Sequence, residues 1–296
     1  RNASRGKTMS MNNIYPMRRR DFMKNSMIML PAVSYLHAGK LNAASLSEHG
    51  LGNFGIQLYT VRDQMKLDVN RTLQSIAEIG YKEVEFAGYF GRSPKDIKNI
   101  LAENSLTSPS THIEIQLIRD YAEQVIDSAL EVGHKYIVMA WLDPSERVTL
   151  DQYRAHADLF NVFGEKCKAA GLKFAFHNHD FDFQELEDVI PMDLLLERTD
   201  SDAVAFELDM YWITKAKADP IRYINNHPGR FPLWHIKDMA PSTKMSDVGA
   251  GIIDFSAIFA HNKKAGLEHF FAERDDPPNS LVTASNCFNA MLKFEY

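Results

Sequence analysis

The stretch AAGLKFAFHNHDFDF, residues 169–183, decides the architecture of this chain. It leaves a helix-like segment through Gly171, enters an apolar run and ends on His177, Asn178, His179 and Asp180. Glycine adopts the left-handed conformation that closes a helix at little cost, so a strand can begin at once. The same phrase recurs as EIGYKEVEF (78–86), EVGHKYIVMA (131–140) and KAGLEHFFAE (264–273). Each is a helix end, a glycine, a short polar step and a β-branched or aromatic run. A repeated helix-to-strand unit marks a βα array, and its period invites a count.

Working outward from these phrases, strands are predicted at 54–60, 81–86, 108–112, 136–141, 172–177, 203–209, 232–237 and 268–273. Between them lie segments with helical spacing of apolar residues, among them VNRTLQSIAEI, SPKDIKNILAEN, IRDYAEQVIDSALEV, LDQYRAHADLFNVFGEKCKAA, PIRYINNH and DFSAIFAHNKKA, with SLVTASNCFNAMLKF as the eighth helix. Strands alternating with amphipathic helices give a parallel sheet with right-handed crossovers. Eight units within residues 46–296 match the ~250 residues usual for a (β/α)8 barrel. A doubly wound open sheet is the alternative. It calls for a glycine-rich first turn, and FGIQLYTVRD (54–63) has nothing of that kind.

The composition is that of a globular chain, 45% hydrophobic and 11% aromatic. A net charge of −6 leaves no basic footprint, which argues against nucleic acid as a partner. Cys167 and Cys287 make neither a disulfide framework nor zinc-ligand spacing, and read as buried thiols. Residues 1–45 differ from the rest. Arg19-Arg20-Asp21-Phe22-Met23-Lys24, followed by a short apolar stretch and small residues near Ala43-Ala44, resembles a twin-arginine export signal. The apolar stretch is too short to span a bilayer, so stable membrane insertion is not expected and a periplasmic mature protein is. The barrel is assigned to residues 46–296.

In a barrel, chemistry collects where strands end. Those ends carry Gln57 and Tyr59, then Glu85, His112 and Glu114, Trp141, His177 and His179, Glu207 and Asp209, His235 and Lys237, and Glu273 and Asp275. So many ionisable groups are costly to bury without partners or a cation. A lone strand-end histidine is more often a hydrogen-bonded structural group than a ligand. Taken together, a histidine of the fifth strand (His177 or His179) with Asp209, His235 and Glu273 from the next three make a site for one divalent ion, with Mn, Zn, Co and Fe all suited to the donor set. Lys237 follows His235 at strand period two. It either stabilises developing negative charge or pairs with Glu207 or Asp209.

GIQLYTVRD, GYKEVEFAG, AFHNHDFDF, FELDMYWITKAKADP, LWHIKDM and VGAGIIDFSAIF appear in the order of the recurring phrases of the xylose isomerase-like barrels. The chain resembles that group, also called the sugar phosphate isomerase/epimerase family, from about residue 53 onward. The most specific pair is WHIKD followed by the G-x-G-x-x-D-F loop at Gly249–Phe255. The resemblance implies one divalent cation held by Glu, Asp, His and Glu, of which the last three fall on Asp209, His235 and Glu273. The first departs: the family's Glu-x-His on the fifth strand reads His177-Asn178-His179 here. In the family's epimerases the two glutamates exchange a proton on opposite faces of the substrate carbon, and His177 removes one of them.

The expected chemistry is enolisation of a sugar or keto-sugar, with the cation as Lewis acid. Glu273, His179, Lys237 and Glu85 are the candidate proton-moving or charge-stabilising groups. His112, Trp141, Trp212 and Tyr59 are the candidate substrate contacts. Reprotonation gives an isomerase or epimerase, and loss of a β-substituent gives a lyase or dehydratase. An exported protein lacking the second glutamate favours a lyase or hydratase on a non-phosphorylated carbohydrate. The alternative is a catalytically degenerate barrel acting as a periplasmic sugar-binding protein. A homo-oligomer is left open.

Overall fold

The first and last strands of the sheet pair side by side. Gly55 lies opposite Phe271 and Ile56 opposite Ala272, both in parallel register, and this seam closes the barrel. The computed structural model describes residues 54–294. The 1–45 export-signal expectation therefore falls outside the described residues. The barrel strands are β1 (Gly55–Gln57), β2 (Glu83–Ala87), β3 (Thr107–Ile113), β4 (Tyr136–Met139), β5 (Lys173–His177), β6 (Val204–Asp209), β7 (Leu233–Ile236) and, after a short ribbon, β10 (His269–Ala272). The ribbon pairs β8 (Asp238–Met239) with β9 (Met245–Ser246) in antiparallel register. All eight barrel strands fall within or beside their predicted spans, and closure excludes the open sheet. At the seam, a Cβ on Gly55 would meet the Phe271 ring at 2.5 Å, so only glycine lets the two strands approach there.

The barrel lumen is filled by Tyr136, Val138, Ala175, Leu233 and Phe271. A larger apolar shell lies between strands and helices, where Phe160 packs on Phe174 and Phe176 with centroids 5.4 and 5.5 Å away. Burial of each such ring stabilises by about 1.5–3 kcal/mol. Helix Val69–Ile79 buries Val69, Thr72, Leu73 and Ile76, the i, i+3, i+4, i+7 stripe of its sequence. Two other helices start on capping boxes, Ser93 with Asp96 and Thr149 with Gln152. Helices end as the repeated phrase requires: Gly133 and Gly266 both take left-handed backbone before the next strand.

Two details differ from the sequence reading. The long 118–132 segment is two helices, Ile115–Asp120 and Ala122–Val132, because Tyr121 leaves helical backbone at φ −140°. Its N–H still bonds Leu117 O and its carbonyl still receives Val125 N–H, so the break costs no backbone hydrogen bond. The crossover between β5 and β6 carries a helix, Pro191–Arg198, that the segments quoted above do not include. Among the described residues no helix is long and apolar enough to cross a membrane.

Candidate functional site

Strand period two builds the site. Glu207 and Asp209, His235 and Lys237, and Glu273 and Asp275 each sit two residues apart at the end of β6, β7 or β10, so both members of each pair share a face. His177 ends β5 beside them, opposite Glu207 in the sheet register. Ligand atoms of His177, Asp209, His235 and Glu273 all lie within 4.8 Å of one another, and all four residues are buried. His235 Nδ1 is 2.8 Å from Glu273 Oε2 and 3.7 Å from Asp209 Oδ2, and His177 Nε2 is 3.9 Å from the same Asp209 oxygen. Thus the structure brings together the four residues expected to hold the ion.

Whether these residues suit a cation is tested by their unsatisfied atoms. Asp209 Oδ2, His235 Nδ1 and Glu273 Oε2 are buried and stand 2.8–3.7 Å from one another or from the Lys237 ammonium, yet none makes a well-aligned hydrogen bond. Buried polar atoms are rarely left so, because each lone pair or N–H without a partner costs about 1–3 kcal/mol. The other Asp209 oxygen is already used: Oδ1 accepts from Trp212 N–H at 2.8 Å, which turns Oδ2 toward the cluster. Asn178, buried between β5 and β6, fixes the backbone of Asp209 by accepting its N–H at 2.9 Å. Two carboxylates and two imidazoles converging on one volume suit a divalent transition ion, so the donor set fits.

Lys237 is fully buried, and its ammonium stands 2.8 Å from Glu273 Oε2, 2.8 Å from Asp275 Oδ1 and 3.1 Å from Asp209 Oδ2. Burial alone would lower its pKa, but the three carboxylates outweigh burial and keep it cationic. Burial opposes ionisation of Glu273 as well, yet Lys237 and His235 hold its carboxyl well below the usual range. Of the two expectations for Lys237, the geometry shows the pairing with Asp209, extends it to Glu273 and Asp275, and places the ammonium at the cluster's edge.

A deeper layer backs the imidazoles. Glu85, with no exposed surface, lies 2.6 Å from His235 Nε2, and Glu207 lies 2.6 Å from His112 Nε2. The His112 ring stacks on that of His235 at 5.2 Å and 11°. Burial disfavours charge on His112, but Glu85 and Glu207 outweigh it and push the imidazole up to about 10. Glu85 and His112 therefore sit under the cluster.

At the mouth, His179 lies between Phe181, stacked at 5.3 Å and 5°, and Trp212 at 5.2 Å. Behind Phe181, the Arg147 guanidinium covers the ring at 3.4 Å. Burial, then the positive charge of Lys237, holds His179 well below its ordinary range, so it is neutral. Asp182 receives the backbone N–H of His179 at 2.8 Å and the Tyr153 hydroxyl at 3.1 Å, tying the 180–183 turn down. The alternation DFDF was visible in the sequence, but the pairing of Asp182 with Tyr153 was not. Of the other expected substrate contacts, Trp141 is 43% exposed after β4. Tyr59 falls in a 3₁₀ turn beyond β1, with Arg62 4.1 Å over its ring.

The G-x-G-x-x-D-F loop turns inward. Gly249 and Gly251 donate their N–H groups to Asp238 Oδ2 at 3.0 and 2.9 Å, and Met239 and Ile253 donate to Oδ1 at 2.7 and 3.3 Å. The amides that a glycine-rich loop can offer to a phosphate are here taken by the chain's own carboxylate.

A family model described as xylose isomerase-like TIM barrel matches residues 73–286. The inosose dehydratase of Geobacillus kaustophilus is 23% identical over 197 residues, 57% of this chain and 62% of that enzyme, so the match spans less than two-thirds of that relative. A sugar phosphate isomerase/epimerase from Parabacteroides distasonis superposes with a TM-score of 0.73 at 24% identity, covering 82% of this chain and 98% of that one. The IolI protein, solved with a bound zinc atom, superposes at 0.65 with 14% identity, covering 81% and 97%. Closed barrel, strand-end cluster and a family match over most of the chain agree, and the protein belongs to the xylose isomerase-like TIM barrel family.

Proposed function

We propose that this chain is a divalent-metal-dependent enzyme that enolises a non-phosphorylated sugar or keto-sugar, acting as a lyase or hydratase, or as an isomerase, and not as a symmetric two-base epimerase. The observation that carries the reading is the convergence of His177, Asp209, His235 and Glu273, all buried, with ligand atoms within 4.8 Å of one another. The likeness to an inosose dehydratase supports elimination, and the zinc bound by the IolI protein supports a cation in this fold.

His177, Asp209, His235 and Glu273 would hold the ion. When bound there it supplies Lewis acidity, which polarises a carbonyl and its neighbouring hydroxyl and acidifies the adjacent C–H. His179 stands at the mouth of the cluster with Nδ1 free of a hydrogen-bond partner, and is the group we assign to accept the proton. The Lys237 ammonium, held against Asp209, Glu273 and Asp275, places a fixed positive charge beside the cluster that stabilises negative charge developing on the substrate oxygen. Phe181 and Trp212 pack against the two sides of the His179 ring and hold its orientation. His177 stands where the two-base pattern has its strand-five glutamate, so that proton donor for the opposite face is missing, and departure of a β-substituent then completes the reaction. Occupation of the Gly249–Gly251 amides by Asp238 argues for a substrate without phosphate.

One observation favours the second reading, a sugar-binding barrel without turnover: Lys237 already neutralises part of the anionic cluster. Elemental mass spectrometry of the purified wild type and of His177→Ala separates the two. About one transition metal per chain, lost in the variant, supports the enzyme and directs a screen of keto-sugars for elimination or hydration. Absence of metal from both, with no turnover on that screen, supports the binding barrel.

A further inference from the structure

The strands that carry no ligand still shape the site, and they do so through one carboxylate. Glu85 rises from β2 into the lumen with no exposed surface, and each of its oxygens is met by a donor. Ser110 Oγ of β3 donates to Oε1 at 2.6 Å. Gln57 Nε2 of β1 donates to Oε2 at 2.7 Å. Two imidazoles complete its surroundings, His235 with Nε2 2.6 Å from Oε2 and His112 with Nε2 3.3 Å from the same oxygen. Gln57 is itself held, because its Oε1 accepts the backbone N–H of Tyr59 at 3.0 Å. Glu85 is thus fixed by β1 and β3 before it meets β7.

An ionised carboxylate only accepts hydrogen bonds, so its imidazole partner must carry the proton on Nε2. That leaves Nδ1, the nitrogen 2.8 Å from Glu273 Oε2 and 3.7 Å from Asp209 Oδ2, as the coordinating atom. A carboxylate behind an imidazole also makes its free nitrogen a stronger donor. We propose that Glu85 is the positioning residue of the metal centre: it selects which nitrogen of His235 faces the cation, sets the ring's plane, and does not move a proton in the reaction. Gln57 and Ser110 act through it. The inference rests on the metal reading above and deepens it.

The alternative role is filling of the lumen, which an isosteric change would satisfy. Glu85→Gln keeps size and shape and removes the charge, so it separates the two. The full chain is stripped with chelator and titrated with Co²⁺, whose visible d–d absorption reports both occupancy and ligand geometry. Glu85→Gln is expected to bind Co²⁺ about 10- to 100-fold more weakly than the wild type, with an altered absorption envelope and an unchanged circular dichroism spectrum. Ser110→Ala, which removes one donor and leaves the carboxylate in place, is expected to weaken Co²⁺ in the same sense by a smaller factor. It carries the test if Glu85→Gln does not fold. Wild-type affinity and spectrum in Glu85→Gln, or in Ser110→Ala should that be the variant that folds, would overturn the role of Glu85 and leave the metal centre standing. A wild type that takes up no Co²⁺ overturns both.

Discussion

The ammonium of Lys237 and the carboxylate of Glu273 stand 2.8 Å apart inside the barrel, on adjacent strand ends and out of contact with solvent. The same carboxylate faces His235 Nδ1 at 2.8 Å, so a protein cation and a metal would share it. Removing one partner of a buried pair leaves a charge uncompensated and costs about 3–5 kcal/mol. Lys237→Met is therefore expected to lower the melting temperature of the metal-free protein and to tighten its hold on Co²⁺. Turnover should fall by about 10²–10³, the effect of losing one preorganised donor at a developing oxyanion. Chelated and loaded melts with a Co²⁺ titration check it, and weaker metal binding with normal turnover would sink this account.

His177 is where the chain departs from the two-glutamate pattern it resembles. His177→Glu is expected to keep the metal and to open a second proton-transfer face. Substrate recovered from D₂O should then carry deuterium in both configurations at the reacting carbon, whereas the wild type exchanges on one face. Mass spectrometry and proton NMR of recovered substrate read the difference. Exchange on both faces by the wild type itself would show that another group already serves as second base.

A histidine remote from the cluster sets an acid limit on stability. His134 donates from Nδ1 to Ser108 O at 2.8 Å and accepts the Tyr89 hydroxyl at Nε2 at 2.9 Å. Burial pushes its pKa down to about 4, only partly offset by the hydrogen bond to Ser108. A histidine depressed in the folded state is neutral in both states above its unfolded value near 6.5, so stability is full there. As pH falls toward 4 the unfolded chain takes up the proton first, and stability is lost. The span of the shift corresponds to about 3 kcal/mol at the acid end. Urea midpoints from pH 7 to pH 4 should fall more steeply for wild type than for His134→Gln. Parallel curves would remove His134 as the cause.

The inward loop has no room for a methyl group. A Cβ on Gly251 would meet Asp238 Oδ1 at 2.2 Å and Met239 O at 2.5 Å. Gly251→Ala should displace the loop from Asp238 and destabilise the fold by about 1–3 kcal/mol, the usual cost of overpacking. Metal content should be unchanged, because Asp238 holds no ligand. Thermal melts and elemental analysis measure both.

The barrel was legible because its cause is local. Helix end, glycine and apolar run recur around Gly80, Gly133, Gly171 and Gly266, and backbone preference at those glycines fixes where each strand starts. The cluster was legible for a related reason: strand ends bring a His, Asp209, His235 and Glu273 to neighbouring positions, and the family resemblance singles out His177 over His179. What could not be read were relations between distant strands. Nothing along the chain says that Glu85 meets His235, 150 residues away, or that Asp238 reaches the Gly251 amide. Helix Pro191–Arg198 stayed hidden because eight residues with a run of three leucines fit strand and helix alike. Tyr59 was expected on a strand and lies in a turn, because β1 ends at Gln57, whose side chain caps that turn.

The seam described first, β1 against β10, also sets an order of events. Glu273 follows the last barrel strand, and that strand must find β1 and β7 together before the lumen closes. Chains fold broadly from the N-terminus as they are made, and contacts between distant segments form late. His177, Asp209 and His235 all precede the closing strand, so the four-residue cluster is complete only once β10 is seated. On the metal reading proposed above, a cation met before that point would find three donors, and the seating of β10 would add the fourth. Closure of the sheet and completion of the donor set are then one event.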